Sequence, residues 1–284
     1  MRYGYSINAA DDFNAIVDLA CEAERAGWDG FFVPDGIAID VPKMDPFPLA
    51  DPWVALGAIA ARTTRIRVGT MITPVPRRRP WKLARECVTA DHLSKGRLIL
   101  AVGLGAATDD AGFYKVGEAM DLKVRAERLD EGLAILDGLW KGSAHTFAGQ
   151  HFRVDGMTMV PRPVQQPRIP IWVVAVWPKP KSLRRILAWD GVIPQKSGSP
   201  EPMSPDEIRQ LCAYVAENRN GQGTFDVITG GSSVTSKGAG KKGKRPADIV
   251  RPYAEAGATW WIEGDMEANT VAKCFDRVRQ GPPV

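Results

Sequence analysis

The sequence predicts a (β/α)8 barrel in one domain spanning residues 1–284. Three observations predict it. Short apolar, β-branched runs alternate with segments of helical period, and the count approaches eight strand–helix pairs. Some strand runs are apolar at consecutive positions, as in Leu98, Ile99, Leu100, Ala101 and Val102, the mark of a strand covered on both faces. Residues 65–105 read as a complete strand–helix–strand unit, which makes a parallel pair with a right-handed crossover. A two-sheet or doubly wound layout is the alternative for the same alternation, and 284 residues fit one barrel as well as two smaller domains.

Residues 3–7 alternate and predict the first strand. Asp11 is placed to cap a helix over 12–26, with Phe13, Ile16, Val17, Ala20 and Ala23 on one face and Gly27 ending it. Residues 30–33 form a second buried strand, followed by Pro34, Asp35, Gly36 and a long loop over 37–51. Asp51 and Pro52 open a helix over 53–61. A β-branched run containing Ile66, Val68 and Ile72 follows. Pro80 suits a first helical position, Leu83, Ala84, Cys87, Val88 and Leu93 follow at helical spacing, and Gly96 supplies the stop. After the strand at 98–102, residues 106–119 are irregular. A strong helix covers 123–139, and 144–154 read as a hairpin insertion turning at Ala148 and Gly149. Residues 161–170 are a proline-rich connector. Strands at 171–175, 191–194, 225–229 and 259–262 then alternate with helices at 182–189, 204–218, 246–256 and 267–278. Residues 230–245 are rich in Gly, Ser and Lys and read as a loop.

Composition narrows the function classes. The hydrophobic fraction is 44% and the charged fraction 25%, and a net charge of +4 gives no footprint for nucleic acid. Four scattered cysteines, Cys21, Cys87, Cys212 and Cys274, form no C-x-x-C pair and read as buried, reduced thiols. No apolar run reaches membrane-spanning length, and the expected location is cytoplasmic.

In a parallel barrel the ligand face lies at the carboxyl ends of the strands. Two loops there carry chemistry. One leaves the third strand with Arg77, Arg78 and Arg79, of which about one is expected to touch an acidic ligand. The other, with Gly103 and Gly105, has no bulk on its backbone. Asp35 ends a buried strand before the long loop and is the candidate catalytic residue. Asp109, Asp110 and Tyr114 are candidates for substrate contact, and Trp177 for a ring against the ligand. His92 reads as structural, and His145 and His151 are wrongly spaced for a metal site, so none is predicted. Trp260 and Trp261 read as core. Without an available histidine, proton transfer falls to Asp, Tyr or water.

Five motifs in order carry a resemblance: GWDGFFVPD (27–35), DPWVALGAIAARTTRIRVGTMITPVPRRRPWKLARE (51–86), LSKGRLILAVGLG (93–105), RLDEGLAILDGLW (128–140) and PRPVQQPRIPIWV (161–173). The chain resembles the bacterial luciferase-like flavin-dependent oxidoreductase (monooxygenase) family over most of residues 1–195. The resemblance implies a (β/α)8 barrel that binds FMN, or alternatively the deazaflavin coenzyme F-420, and acts on a small organic substrate. It implies a non-proline cis peptide at Met71–Ile72 beneath the ring, with Thr70 and Thr73 flanking it. It also implies Gly103 and Gly105 against the cofactor, and a phosphate site over Ala175, Trp177, Lys181 and Ser182. Arg77 completes the cofactor-binding set. A homodimer and a separate flavin reductase are the expected partners. Three departures stand out. Gly36 replaces a histidine that often follows the Asp35 position, Ala106 replaces a glutamate of the deazaflavin dehydrogenases, and AVWPKPKS replaces a glycine-bearing loop. The enzyme reading is preferred. A non-catalytic flavin-binding protein on the same barrel is the alternative. An aldolase- or isomerase-like barrel requires a reactive lysine at a strand end, and none lies within the predicted strands.

Overall fold

Eight parallel staves close on themselves. The computed structural model describes residues 1–7, 12–38, 48–106, 112–199, 201–220, 223–234, 245–264 and 270–284. Its strands are β1 (Arg2–Ser6), β2 (Gly30–Val33), β3 (Arg67–Thr70), β4 (Thr73–Pro74), β5 (Leu98–Gly103), β6 (His145–Ala148), β7 (Arg153–Met157), β8 (Ile171–Trp177), β9 (Gly191–Lys196), β10 (Asp226–Gly231) and β11 (Trp260–Glu263). The helices are α1 (Phe13–Arg25), α2 (Pro52–Arg62), α3 (Pro80–Leu93), α4 (Leu122–Trp140), α5 (Pro180–Ile186), α6 (Pro205–Asn218), α7 (Pro246–Glu255) and α8 (Val271–Arg279). The sheet runs β3-β2-β1-β11-β10-β9-β8-β5-β4, and β3 also pairs with β5, which closes the barrel. β3 and β4 are two pieces of one stave. β6 and β7 form the separate antiparallel hairpin.

Two apolar layers hold the barrel. The outer layer lies between sheet and helices and takes alternate strand residues such as Leu98, Leu100 and Val102. The inner one fills the barrel axis with Phe32, Ile99, Ala101, Trp172, Ile228, Trp260 and Ile262. Alternation along each strand sorts residues between the two. The rings of Phe32, Trp172 and Trp260 meet at centroid distances of 5.2 to 6.2 Å. They fit because glycines face them: a Cβ on Gly30 would lie 2.7 Å from Phe32, and one on Gly191 2.5 Å from Trp172.

Polar side chains satisfy the backbone where the loops turn. Arg97, 8% exposed, donates to the carbonyls of Ala60, Thr63, Ile66 and Ser94 and to the Thr63 hydroxyl. It thereby serves the carboxyl end of α2, whose last carbonyls have no partner within the helix. Glu24 accepts the N–H groups of Thr64, Arg65 and Ile66 at the foot of β3. Burial pushes its carboxyl up, but those backbone donors outweigh it and hold the group below the usual range.

Several boundaries differ from expectation, each for a local reason. Asp12 caps α1 by accepting from Asn14 and Ala15; the expected cap, Asp11, lies outside the described residues. The hairpin does not turn tightly at Ala148 and Gly149. Its strands are separated by residues 149–152, because Glu131 of α4 captures the N–H groups of Gln150, His151 and Phe152. α5 begins and ends earlier than predicted, with Pro180 in its first turn. Thr270 caps α8; the predicted start at Glu267 lies outside the described residues. β9 runs further than predicted and ends on Lys196, whose ammonium pairs with Glu207 at 3.0 Å. All four cysteines lie on helices, and Cys212 is half-buried where burial was expected. Among the described residues, no helix is long and apolar enough to cross a membrane.

Candidate active site

The stave formed by β3 and β4 breaks at a cis peptide between Met71 and Ile72. Both side chains are half-buried and pack on the inner cluster, as does Ile193 from β9. These residues form an apolar ledge above the three rings at the carboxyl end of the barrel. Gly103, ending β5, borders the same ledge: a Cβ there would lie 2.9 Å from Ile72 Cδ1 and 3.2 Å from Val174 Cγ2. Gly105 has φ +86°, where a side chain is strained, and its added Cβ would meet the Arg77 guanidinium at 3.0 Å.

Thr70 and Thr73 flank the ledge and are fully buried, with their hydroxyls 2.8 Å apart. The resemblance has them facing a ring. Here their hydroxyls are engaged in the wall: Thr73 donates to Asp35 Oδ2 at 2.8 Å, and Thr70 Oγ1 lies 3.4 Å from the Ala101 carbonyl. Asp35 itself is enclosed and pairs with the Arg78 guanidinium. Burial pushes its carboxyl above the usual carboxylate range, while Arg78 and the Thr73 hydroxyl pull the other way. A carboxyl so held ties the end of β2 to the loop after β4.

Arg77 is 6% exposed, and its guanidinium lies over the Phe113 ring at 4.7 Å. Arg125 of α4, which sequence reasoning missed, sends Nη1 to the carbonyls of Leu104, Gly105 and Ala106 at 3.1 to 3.4 Å. It holds the glycine loop from behind. Its position three residues before the fourth motif, one turn into a helix, gave no signal of that contact.

The expected phosphate region joins β8 to α5. On β8, Ile171, Val173, Ala175 and Trp177 face the helix layer, and Trp172 faces the axis. Trp177 packs edge-on against Tyr214 of α6 at 6.4 Å and is half-buried. Ser182 Oγ accepts the Val176 N–H at 2.9 Å, and Lys181 is exposed. Tyr114 is 48% exposed; Asp109 and Asp110, and all but Arg245 of the lysine-rich 237–245 run, lie outside the described residues. His92 meets the Arg162 carbonyl and His151 meets Glu127, both structural contacts.

Fold and mouth together define a (β/α)8-barrel protein with a glycine-edged apolar ledge at the carboxyl ends of its strands. The chain belongs to the luciferase-like monooxygenase family, whose model matches residues 1–261. It is 32% identical over 204 residues to the F420-dependent glucose-6-phosphate dehydrogenase of Nakamurella multipartita, covering 70% of this chain and 58% of that one. Among solved structures, it matches the coenzyme F420-dependent tetrahydromethanopterin reductase of Methanopyrus kandleri with TM-score 0.72 and 18% identity, over 99% of this chain and 98% of that one. The oxygenating constituent of the 3,6-diketocamphane monooxygenase of Pseudomonas putida, solved with FMN, matches with TM-score 0.72 and 14% identity, over 98% of this chain and 96% of that one. At these identities the structural matches speak for the fold.

Proposed function

We propose that the protein is an oxidoreductase that uses a flavin-type cofactor, FMN or the deazaflavin F-420, on a small organic substrate. The observation that carries this reading is the ledge. Met71, Ile72 and Ile193 offer a half-exposed apolar surface, and Gly103 lets Ile72 and Val174 pack where a Cβ would lie 2.9 and 3.2 Å from them. A flat tricyclic ring fits such a surface. Bound there, the cofactor supplies the hydride or electron pair. The chain's part is to orient and to exclude water: Asp35, Thr73 and Arg78 fix the loop after β4, and Arg125 fixes the glycine loop. The dehydrogenase relative supports F-420 ahead of FMN. The non-catalytic alternative rests on Gly36 and Ala106 standing where the resemblance implies a histidine and a glutamate.

The test is a fluorescence titration of purified protein with FMN and with F-420, each oxidised and reduced. Saturable micromolar binding of one is expected. Binding of neither overturns the proposal, and binding without turnover of any reduced cofactor moves the non-catalytic alternative ahead.

We further propose a homodimer through the α2–α3 face. A groove of about 450 Å³ runs there past Trp53, Gly57, Val54 and Leu93, the last two 75% and 46% exposed. Val54→Glu with Leu93→Glu is expected to halve the mass seen by light scattering. If FMN is the cofactor, a separate flavin reductase supplies it reduced.

A further inference from the structure

We propose that the protein carries a phosphoryl-binding pocket, distinct from the ledge, between the turn after β4, the segment before α4, α4 itself and the hairpin. The cavity measures about 350 Å³ and is lined by Arg77, Arg78, Arg79, Arg128, Glu118 and Phe152, among others. Four arginines and one glutamate thus line the cavity. Four separate stretches of chain line the cavity, with Glu118 coming from the segment before α4. Arg77, Arg78 and Arg79 follow one another out of β4, Arg128 stands on α4, and Phe152 belongs to the hairpin loop, where it packs edge-on against Trp81 at 6.2 Å.

The donors in this pocket exceed their acceptors. Arg78 spends one terminal nitrogen on Asp35, and its Nε is buried with no hydrogen-bond partner. Arg128 Nε is likewise buried and unpartnered, and its Nη1 pairs with Glu118 at 3.6 Å. Arg79 is exposed and makes no ion pair among the described residues. Clustered guanidinium groups match a tetrahedral oxyanion that accepts along several directions at once. The volume holds a phosphoryl group together with part of the molecule that carries it. Ser182, expected to hold a phosphate, accepts the Val176 N–H on a different loop.

Two sources share that chemistry: the phosphate of the cofactor, or a phosphate ester on the substrate. The inference does not rest on the flavin reading, because phosphate binding is read without either. Calorimetric titration with inorganic phosphate at fixed ionic strength is expected to show one saturable site. Arg79→Ala and Arg128→Gln should each weaken it about tenfold. Glu118→Gln should tighten it, an outcome that misfolding cannot mimic. No saturable binding, or the same affinity in all three variants, overturns the proposal. Paired ligands then identify the source. Loss of FMN affinity in the arginine variants with riboflavin affinity kept assigns the site to the cofactor. Loss of glucose 6-phosphate affinity, with glucose indifferent and FMN unchanged, assigns it to a phosphorylated substrate. Either result sustains the pocket.

Discussion

The Thr73 hydroxyl donates across 2.8 Å to the carboxylate of Asp35, 38 residues earlier in the chain. The contact ties the end of β2 to the second piece of the broken stave. Arg78 closes the same knot from the other oxygen. Burial raises the Asp35 carboxyl above its ordinary range, so the folded state holds this proton more tightly than the unfolded chain. The resulting stability is full below the unfolded carboxylate pKa of about 3.9 and is lost as pH rises through the folded value. Asp35→Asn removes that dependence. Urea unfolding from pH 4 upward should show the wild type losing stability relative to the variant. A change in the opposite direction means that the Arg78 pair outweighs burial.

Gly103→Ala places a methyl against Ile72 Cδ1 and Val174 Cγ2, the tips of two flexible side chains. The fold should survive at a cost of about 1 to 2 kcal/mol. The ledge should not survive unchanged. Cofactor affinity is expected to fall about tenfold, read by the same fluorescence titration.

Arg97→Lys keeps the charge and loses the fork. Five donations to α2, to Ser94 and to the following loop become at most three. Loss of about 3 kcal/mol in chemical denaturation is expected, since buried carbonyls are left without donors.

Glu131→Ala removes the acceptor of three consecutive hairpin N–H groups. Hydrogen exchange at Gln150 and Phe152 should accelerate while the barrel strands stay protected. Because Phe152 walls the arginine pocket, phosphate affinity should weaken in the same variant.

The barrel was legible because its rhythm is written in period: apolar runs such as 98–102 read as strands covered on both faces, and Pro80 and Gly96 mark the ends of α3. The Met71–Ile72 bond was legible through its motif. Side-chain direction was not. In β8 both faces are apolar, so the alternation that sends Trp177 outward and Trp172 inward leaves no trace in composition. Nor do hydroxyl partners announce themselves. Thr70 and Thr73 read as ligand contacts because they flank the Met71–Ile72 bond; Thr73 meets Asp35, which follows another strand, and Thr70 meets Thr73. The hold of Glu131 on the hairpin and of Arg125 on the glycine loop are likewise contacts between distant residues, which periodicity does not encode.

The three rings on the barrel axis have a kinetic consequence. Phe32, Trp172 and Trp260 have no solvent exposure and plug the channel below the ledge. Traffic is therefore one-ended: whatever settles first on the ledge must leave by the route it entered. A second molecule stacked above becomes a gate on the first. Dissociation of the deeper ligand should slow as the outer one approaches saturation, the signature of a compulsory order of arrival and departure.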